Sequence, residues 1–266
     1  MHKIDYSMSI PEKPNIAPAT LAALVNAALP GPNYVLKAAP ITTTMNISAW
    51  ESYRPIVDTI DPSLIDQITW GFPTGAPIDA PIAVPFTNHA SARSNPHIVE
   101  QYVNKHMESG AIYGPFESNP LDISLVVSPL QVAFSASGKP RVCNDLSFGD
   151  HSVNSYISQD WSLYPGYTGD LTLPKVDDLV KAIMDIGPSA LLWKTDFSAF
   201  YKQLNTDPAQ INTLGFAFAG RIYIENRLPF GLRSACLNAQ RVTNATILIF
   251  RTNQGAFAIG YVDDTV

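Results

Sequence analysis

The sequence predicts an α+β fold with a largely antiparallel sheet. Strand-like and amphipathic helical segments are interleaved over residues 94–266, and two neighbouring strand-like segments are joined by a tight turn, which makes them antiparallel partners. Bulk composition agrees. The chain has 266 residues, 46% of them hydrophobic and 15% charged. Against roughly 25% charged in an average soluble domain, this describes a chain that buries a sizeable core and is not disordered.

Taken in order, the first 93 residues form a proline-rich lead-in. Thirteen of the 22 prolines fall within residues 1–96, in stretches such as Pro73-Thr74-Gly75-Ala76-Pro77 and Pro81-Ile82-Ala83-Val84-Pro85, which favour extended and turn conformations. Within it, residues 19–28 suit a short apolar helix. Asp61-Pro62-Ser63 opens another, with aspartate as cap and proline at the first helical position. A second segment, 94–187, begins with a helix capped by Ser94, with Ile98, Val99, Tyr102, Val103 and Met107 on one face and Gly110 as its stop. Residues 124–134 are strand-like, Ser137-Gly138-Lys139-Pro140 is a turn, and 141–146 a second strand, giving a hairpin. A helix over about 174–186 follows, stopped by Gly187. The last segment, 188–266, opens on an apolar run, Ala190-Leu191-Leu192-Trp193, expected to be buried, that ends at Lys194-Thr195-Asp196. Residues 214–218 and 221–226 form a hairpin turning at Ala219-Gly220. A helix over 234–251 and a strand running from Phe257 into Tyr261-Val262-Asp263-Asp264 complete the chain. No fixed-period repeat exists, which excludes solenoids and propellers.

Two cysteines, Cys143 and Cys236, cannot build a disulfide framework and neither has zinc spacing, so a reducing, intracellular compartment is expected. No run of about 18 apolar residues and no leader pattern is present, so no membrane partner is expected. A net charge of -6 argues against bulk positive charge as a means of binding nucleic acid, while leaving local basic grooves open.

The chemistry-bearing pattern is an aspartate after one apolar strand, Asp196, together with two adjacent aspartates, Asp263 and Asp264, after another. Two carboxylates about 4 Å apart repel by roughly 4 kcal/mol at an effective dielectric of 20, so such a cluster needs protonation, cationic partners or metal. Oxygen-only ligands select hard cations such as magnesium, and a pair of these ions is the arrangement used in phosphoryl transfer.

The neighbours of these acids carry a resemblance. Lys194-Thr195-Asp196-Phe197-Ser198-Ala199-Phe200-Tyr201, then Arg227-Leu228-Pro229-Phe230-Gly231-Leu232-Arg233-Ser234-Ala235, then Tyr261-Val262-Asp263-Asp264 resemble, in order and spacing, motifs A, B and C of the reverse transcriptases. Ser128-Pro129-Leu130 and Gly138-Lys139-Pro140-Arg141-Val142-Cys143-Asn144-Asp145-Leu146 resemble the fingers of that family. Within the family, Gly114-Pro115-Phe116, Asp145-Leu146-Ser147 with Ser152-Val153-Asn154 after it, and Gly231-Leu232-Arg233-Ser234-Ala235 are most similar to retrotransposons of the DIRS type.

The resemblance implies a right-hand polymerase: fingers and the start of the palm over 94–187, the palm over 188–266. It implies Asp196, Asp263 and Asp264 as catalytic acids, with the Phe197 carbonyl as a further metal ligand and two Mg2+ or Mn2+ ions as cofactors. Tyr201 matches the steric gate against ribonucleotides, Arg141 the triphosphate-binding arginine, with Lys139 as a neighbouring phosphate cation. Phe230 and Gly231 would lie against the nascent base pair. The implied partners are an RNA or DNA template-primer and deoxynucleoside triphosphates. Each residue also has an ordinary reading: Tyr201 as a core aromatic, Arg141 as a surface strand residue, Gly231 as a turn, and the cysteines as small buried hydrophobes.

Three departures from the family pattern matter. Phe134-Ser135-Ala136-Ser137 stands where relatives carry two lysines, and Cys236 where motif B usually has proline. Val266 follows Asp264 by two residues, so the catalytic hairpin is expected to lack its second strand, the thumb to be absent, and catalysis by this chain to be weak or silent. The competing readings are a truncated, non-catalytic retroelement remnant and an RNA-directed RNA polymerase.

Overall fold

The computed structural model describes residues 10–29, 41–82, 87–169, 171–189 and 191–266. In chain order the helices are α1 (Pro18–Ala28), α2 (Ile47–Ser52), α3 (Arg54–Val57), α4 (Leu64–Trp70), α5 (Ala90–Arg93), α6 (Pro96–Glu108), α7 (Val176–Ile186) and α8 (Arg233–Gln254). The strands are β1 (Ile112–Phe116), β2 (Leu130–Phe134), β3 (Pro140–Asn144), β4 (Thr195–Asp196), β5 (Gly215–Phe218), β6 (Arg221–Glu225), β7 (Gly260–Tyr261) and β8 (Asp264–Thr265). They form three antiparallel sheets, ordered β1-β6-β5, β2-β3 and β4-β8-β7, so the α+β reading and the antiparallel pairing agree with the structure.

Local chemistry accounts for most elements. The β5–β6 turn places Ala219 and Gly220 at φ 49° and 72°, the paired left-handed conformation that matches strand twist in a two-residue hairpin. Helix α6 starts with Pro96 at its first position after Asn95, one residue later than the expected Ser94 cap. It buries Val99, Val103 and Met107, spaced by four, against Ile112, Leu130, Val132, Val142, Phe216 and Tyr223. Strand β1 escaped the sequence reading because Gly114-Pro115 interrupts it. Proline is tolerated there because β1 is a sheet edge, and its register with β6 shifts across that dipeptide.

The lead-in is not merely extended. Val57, Leu64, Ile65, Ile68 and Phe72 share one core with Leu204, Leu228 and the α8 residues Ala235, Ala239 and Val242. The Asp61 carboxylate does not cap a helix, and α4 begins at Leu64. Both Asp61 oxygens instead accept from Arg241, at 2.7 and 3.0 Å, in the interior. Arg241 also donates to Gln67 and Ser63 and lies 4.9 Å from the Tyr167 ring. Pairing of this kind satisfies a planar guanidinium that burial would otherwise strand. Helix 19–28 of the sequence reading is α1, whereas Ala83, Val84 and Pro85 lie outside the described residues.

Two expectations are corrected. The run 191–193 is exposed, Leu191 by 94%, because β4 is a two-residue edge strand with, among the described residues, only β8 beside it; Ala190 lies outside the described residues. Trp193 finds one aromatic neighbour, Phe250, at 5.4 Å. Helix α7 stops at Gly187 as expected, yet Val176, Val180 and Met184 on its apolar face remain exposed and only Ala182 is buried. Secondly, the segment before the paired aspartates is a strand only at 260–261. The second strand, expected to be missing, is present as β8, which pairs with both β7 and β4. Reciprocal bonds between Ile259 and Val266 (2.9 and 2.8 Å) lengthen that ladder. Among the described residues, no helix is long and apolar enough to cross a membrane.

Candidate active site

The β4-β8-β7 sheet gathers the three aspartates. Asp196 is the register partner of Asp264 across the β4–β8 pair, and the Phe197 N–H donates to the Asp263 carbonyl at 2.9 Å. Asp263 sits between the strands, in a turn that Val262 enters at φ 53°. Residues 67 positions apart thus share two adjacent rungs of one sheet.

A left-handed valine is an uncommon conformation that persists only where the surroundings enforce it. Helix α8 supplies the constraint. Gln240 accepts from the Val262 N–H at 2.7 Å and donates to the Gly260 carbonyl at 2.8 Å, while the Thr243 hydroxyl donates to the Val262 carbonyl. Gln240 and Thr243 are fully buried. A Cβ on Gly260 would come within 2.3 Å of the Thr243 methyl, so glycine is what allows strand and helix to approach so closely. The sequence reading missed both clamp residues, although their spacing of three places them on one face of α8.

The acids are solvent-accessible and carry a cation among them. Lys194 Nζ lies 2.8 Å from Asp264 Oδ1. That hydrogen bond, reinforced by the charges of Asp264, Asp196 and Asp263, raises the Lys194 pKa above its ordinary value. Among the described residues, no three His, Cys, Asp or Glu side chains converge on a common point as a metal site requires. The backbone brings the three aspartates to one sheet, and the Asp264 side chain is paired with Lys194. The donor set itself, carboxylate oxygens with a main-chain carbonyl nearby, has the hard-oxygen character that Mg2+ and Mn2+ take.

Tyr201 follows in a 3-10 turn at Phe200–Gln203. Its ring meets Phe230 edge-on, centroids 5.1 Å apart at 86°. Burial, then the neighbouring Cys236 thiol and the Asp263 charge, push its hydroxyl up to about 12. Two predicted site residues therefore touch beside Asp263, and Cys236 contacts the Tyr201 hydroxyl in addition to filling space. Gly231 adopts φ 105°, and an added Cβ would lie 2.3 Å from the Asn144 carbonyl at the end of β3. Asn154 fixes the same loop, donating to the Gly231 carbonyl (2.6 Å) and accepting from the Arg233 N–H (2.8 Å). Arg141 and Lys139 lie exposed on the β2–β3 hairpin, whose far end is the Asn144 that Gly231 abuts.

No protein-family model and no curated protein matches the chain. Among solved structures it is similar to the foamy viral protease-reverse transcriptase in complex with an RNA/DNA hybrid, at 13% identity and TM-score 0.48, covering 97% of this chain and 30% of that one. The same viral protein in complex with double-stranded DNA gives 14% identity and TM-score 0.48, with coverage of 85% and 46%. The native prototype foamy virus enzyme gives 14% and 0.47, with coverage of 85% and 30%. The chain spans less than half the length of each of these structures.

Proposed function

We propose that this chain contains the fingers and palm of an RNA-directed DNA polymerase, with the affinities of a DIRS-type retrotransposon enzyme. The observation that carries the reading is the pairing of Asp196 with Asp264 beside a clamped turn bearing Asp263, which brings the acids of two sequence motifs onto one sheet edge. The wording of motifs A, B and C supplies the rest.

On this reading Asp196 and Asp263, with the Phe197 carbonyl, would hold two Mg2+ or Mn2+ ions, and Asp264 would complete the acidic cluster. Such ions would lower the pKa of a primer 3′-hydroxyl and neutralise charge on the leaving pyrophosphate. The protein's own contribution is positional. Gln240 and Thr243 fix the turn bearing Asp263, and Lys194 pairs with Asp264. In the gate role that its place in motif A implies, the Tyr201 ring, backed by Phe230, would exclude a 2′-hydroxyl. Gly231 lets a base pair approach the backbone closely, and Arg141 with Lys139 offers guanidinium and ammonium donors to a triphosphate.

A second reading, nucleic-acid binding without chemistry, is favoured by two observations: the Lys194–Asp264 pair and the lack of converged carboxylates among the described residues. Primer extension on an RNA template with Mg2+ or Mn2+ separates the two. Template-directed deoxynucleotide incorporation that disappears in Asp263→Asn supports the polymerase, whereas primer-template binding with no incorporation above the Asp263→Asn control supports the second reading.

A further inference from the structure

Directly after the Tyr201 ring the chain sends the Lys202 side chain the other way, into the interior. Its Nζ lies 2.6 Å from Glu225 Oε2 and donates to Tyr102 Oη at 3.0 Å. The Tyr102 hydroxyl in turn donates to the other Glu225 oxygen. The three groups close a loop of charge-assisted hydrogen bonds among α6, the 3-10 turn and β6. The Lys202 side chain is 9% exposed and that of Glu225 0%.

Charges this deep are a poor means of gaining stability, because desolvation consumes most of their attraction, and their best-attested use is to specify one arrangement of the elements they join. Here the joined element is the turn bearing Tyr201. In a 3-10 turn successive side chains are about 120° apart, so anchoring Lys202 sets the rotation of the turn and with it the direction of the preceding ring. On its other side the ring has one aromatic neighbour among the described residues, the partly exposed Phe230, with Cys236 beside its hydroxyl and the main core behind it. His106, edge-on to Tyr102, has its pKa lowered to about 3 by burial and then by the Lys202 charge, so it stays neutral beside the ammonium.

We propose that Lys202, held by Glu225 and Tyr102, is a positioning residue for the Tyr201 ring, so that discrimination between deoxy- and ribonucleotides is set from the α6–β6 interior and not by Tyr201 alone. The proposal rests on the gate role given to Tyr201 above. It adds three interior residues to Tyr201 as determinants of sugar choice.

The test uses the 266-residue chain labelled with 3-fluorotyrosine, the Tyr201 resonance being assigned by its loss in Tyr201→Phe. The variants are Lys202→Met/Glu225→Leu, which removes both buried charges together, and Tyr102→Phe, which removes one bridging hydroxyl and serves where the double variant does not fold. The parent and each folded variant are read by the fluorine spectrum and by the ratio of deoxy- to ribonucleotide incorporation. A moved or broadened Tyr201 resonance is expected, with a discrimination ratio lower by on the order of tenfold, in keeping with the sensitivity of positioning to sub-ångström shifts. A Tyr201 resonance that stays in place in folded variants overturns the proposal, as does a moved resonance with an unchanged ratio. If the parent incorporates nothing, the polymerase reading fails on that arm, while the fluorine spectrum still decides whether Lys202 positions the ring.

Discussion

Replacing Gln240 with leucine should loosen the turn that presents Asp263 while leaving helix α8 formed. The substitution keeps the side chain's bulk and removes its two bonds to the turn, stranding the Val262 N–H and the Gly260 carbonyl in the interior. Each buried group left unpaired costs about 1–3 kcal/mol. The Thr243 bond to the Val262 carbonyl survives, so part of the clamp remains. Release of the left-handed Val262 recovers on the order of 1 kcal/mol of backbone strain, which leaves a net loss of about 1–5 kcal/mol. At roughly 2–4 °C per kcal/mol for a chain of this size, Tm should fall by about 2–20 °C. Thermal denaturation followed by circular dichroism measures this, and primer extension on the same samples at a temperature where the variant is folded should show incorporation reduced on the order of 10²-fold, since Asp263 moves with its turn. A Gln240→Leu protein with unchanged Tm and unchanged incorporation would refute the clamp.

Three further outcomes follow from the geometry. Gly231→Ala places a methyl group 2.3 Å from the Asn144 carbonyl at φ 105°, so thermal denaturation should show a loss of at least about 2 kcal/mol, whereas Gly138→Ala, where nothing lies within 4 Å of the added atom, should cost about 1 kcal/mol. Tyr201→Ala should admit ribonucleotides while largely keeping deoxynucleotide incorporation, and unchanged discrimination in nucleotide competition would make Tyr201 a core residue only. Asp61→Asn leaves the Arg241 guanidinium buried and half-paired, and should cost about 3–5 kcal/mol in denaturant titration, whereas the exposed Lys194→Met should leave the denaturation midpoint close to that of the parent.

Local signals made much of the fold legible. Ala219-Gly220 between two strand patterns, Gly187 after an amphipathic helix, and Pro96 at a helix start each act within a few residues, and the elements formed where these signals fell. What the sequence did not reveal depends on partners distant in the chain. Apolar content alone suggested that residues 191–193 were buried, yet burial requires a neighbour on the free side of β4, and the described residues provide only Phe250. Asp61 followed by Pro62 read as a helix cap because the competing Arg241 lies 180 positions away. The same holds at the site: the three aspartates, Tyr201, Phe230 and Gly231 were legible as motif letters. Gln240, Thr243 and the Lys202–Glu225–Tyr102 loop carry no local pattern and emerge only once α8, β6 and α6 are packed. The expectation of weak catalysis rested partly on a missing second strand, and the presence of β8 removes that part of the reasoning.

The most direct test of the account is Mn2+ binding to the 266-residue chain, followed by electron paramagnetic resonance titration of free Mn2+. Saturable binding is predicted, at least tenfold weaker in both Asp196→Asn and Asp263→Asn and tighter in Lys194→Met, because that substitution removes the cation paired with Asp264. Binding that is absent, or that is indifferent to both aspartate substitutions, would contradict the claim that the β4-β8-β7 sheet assembles a two-metal site.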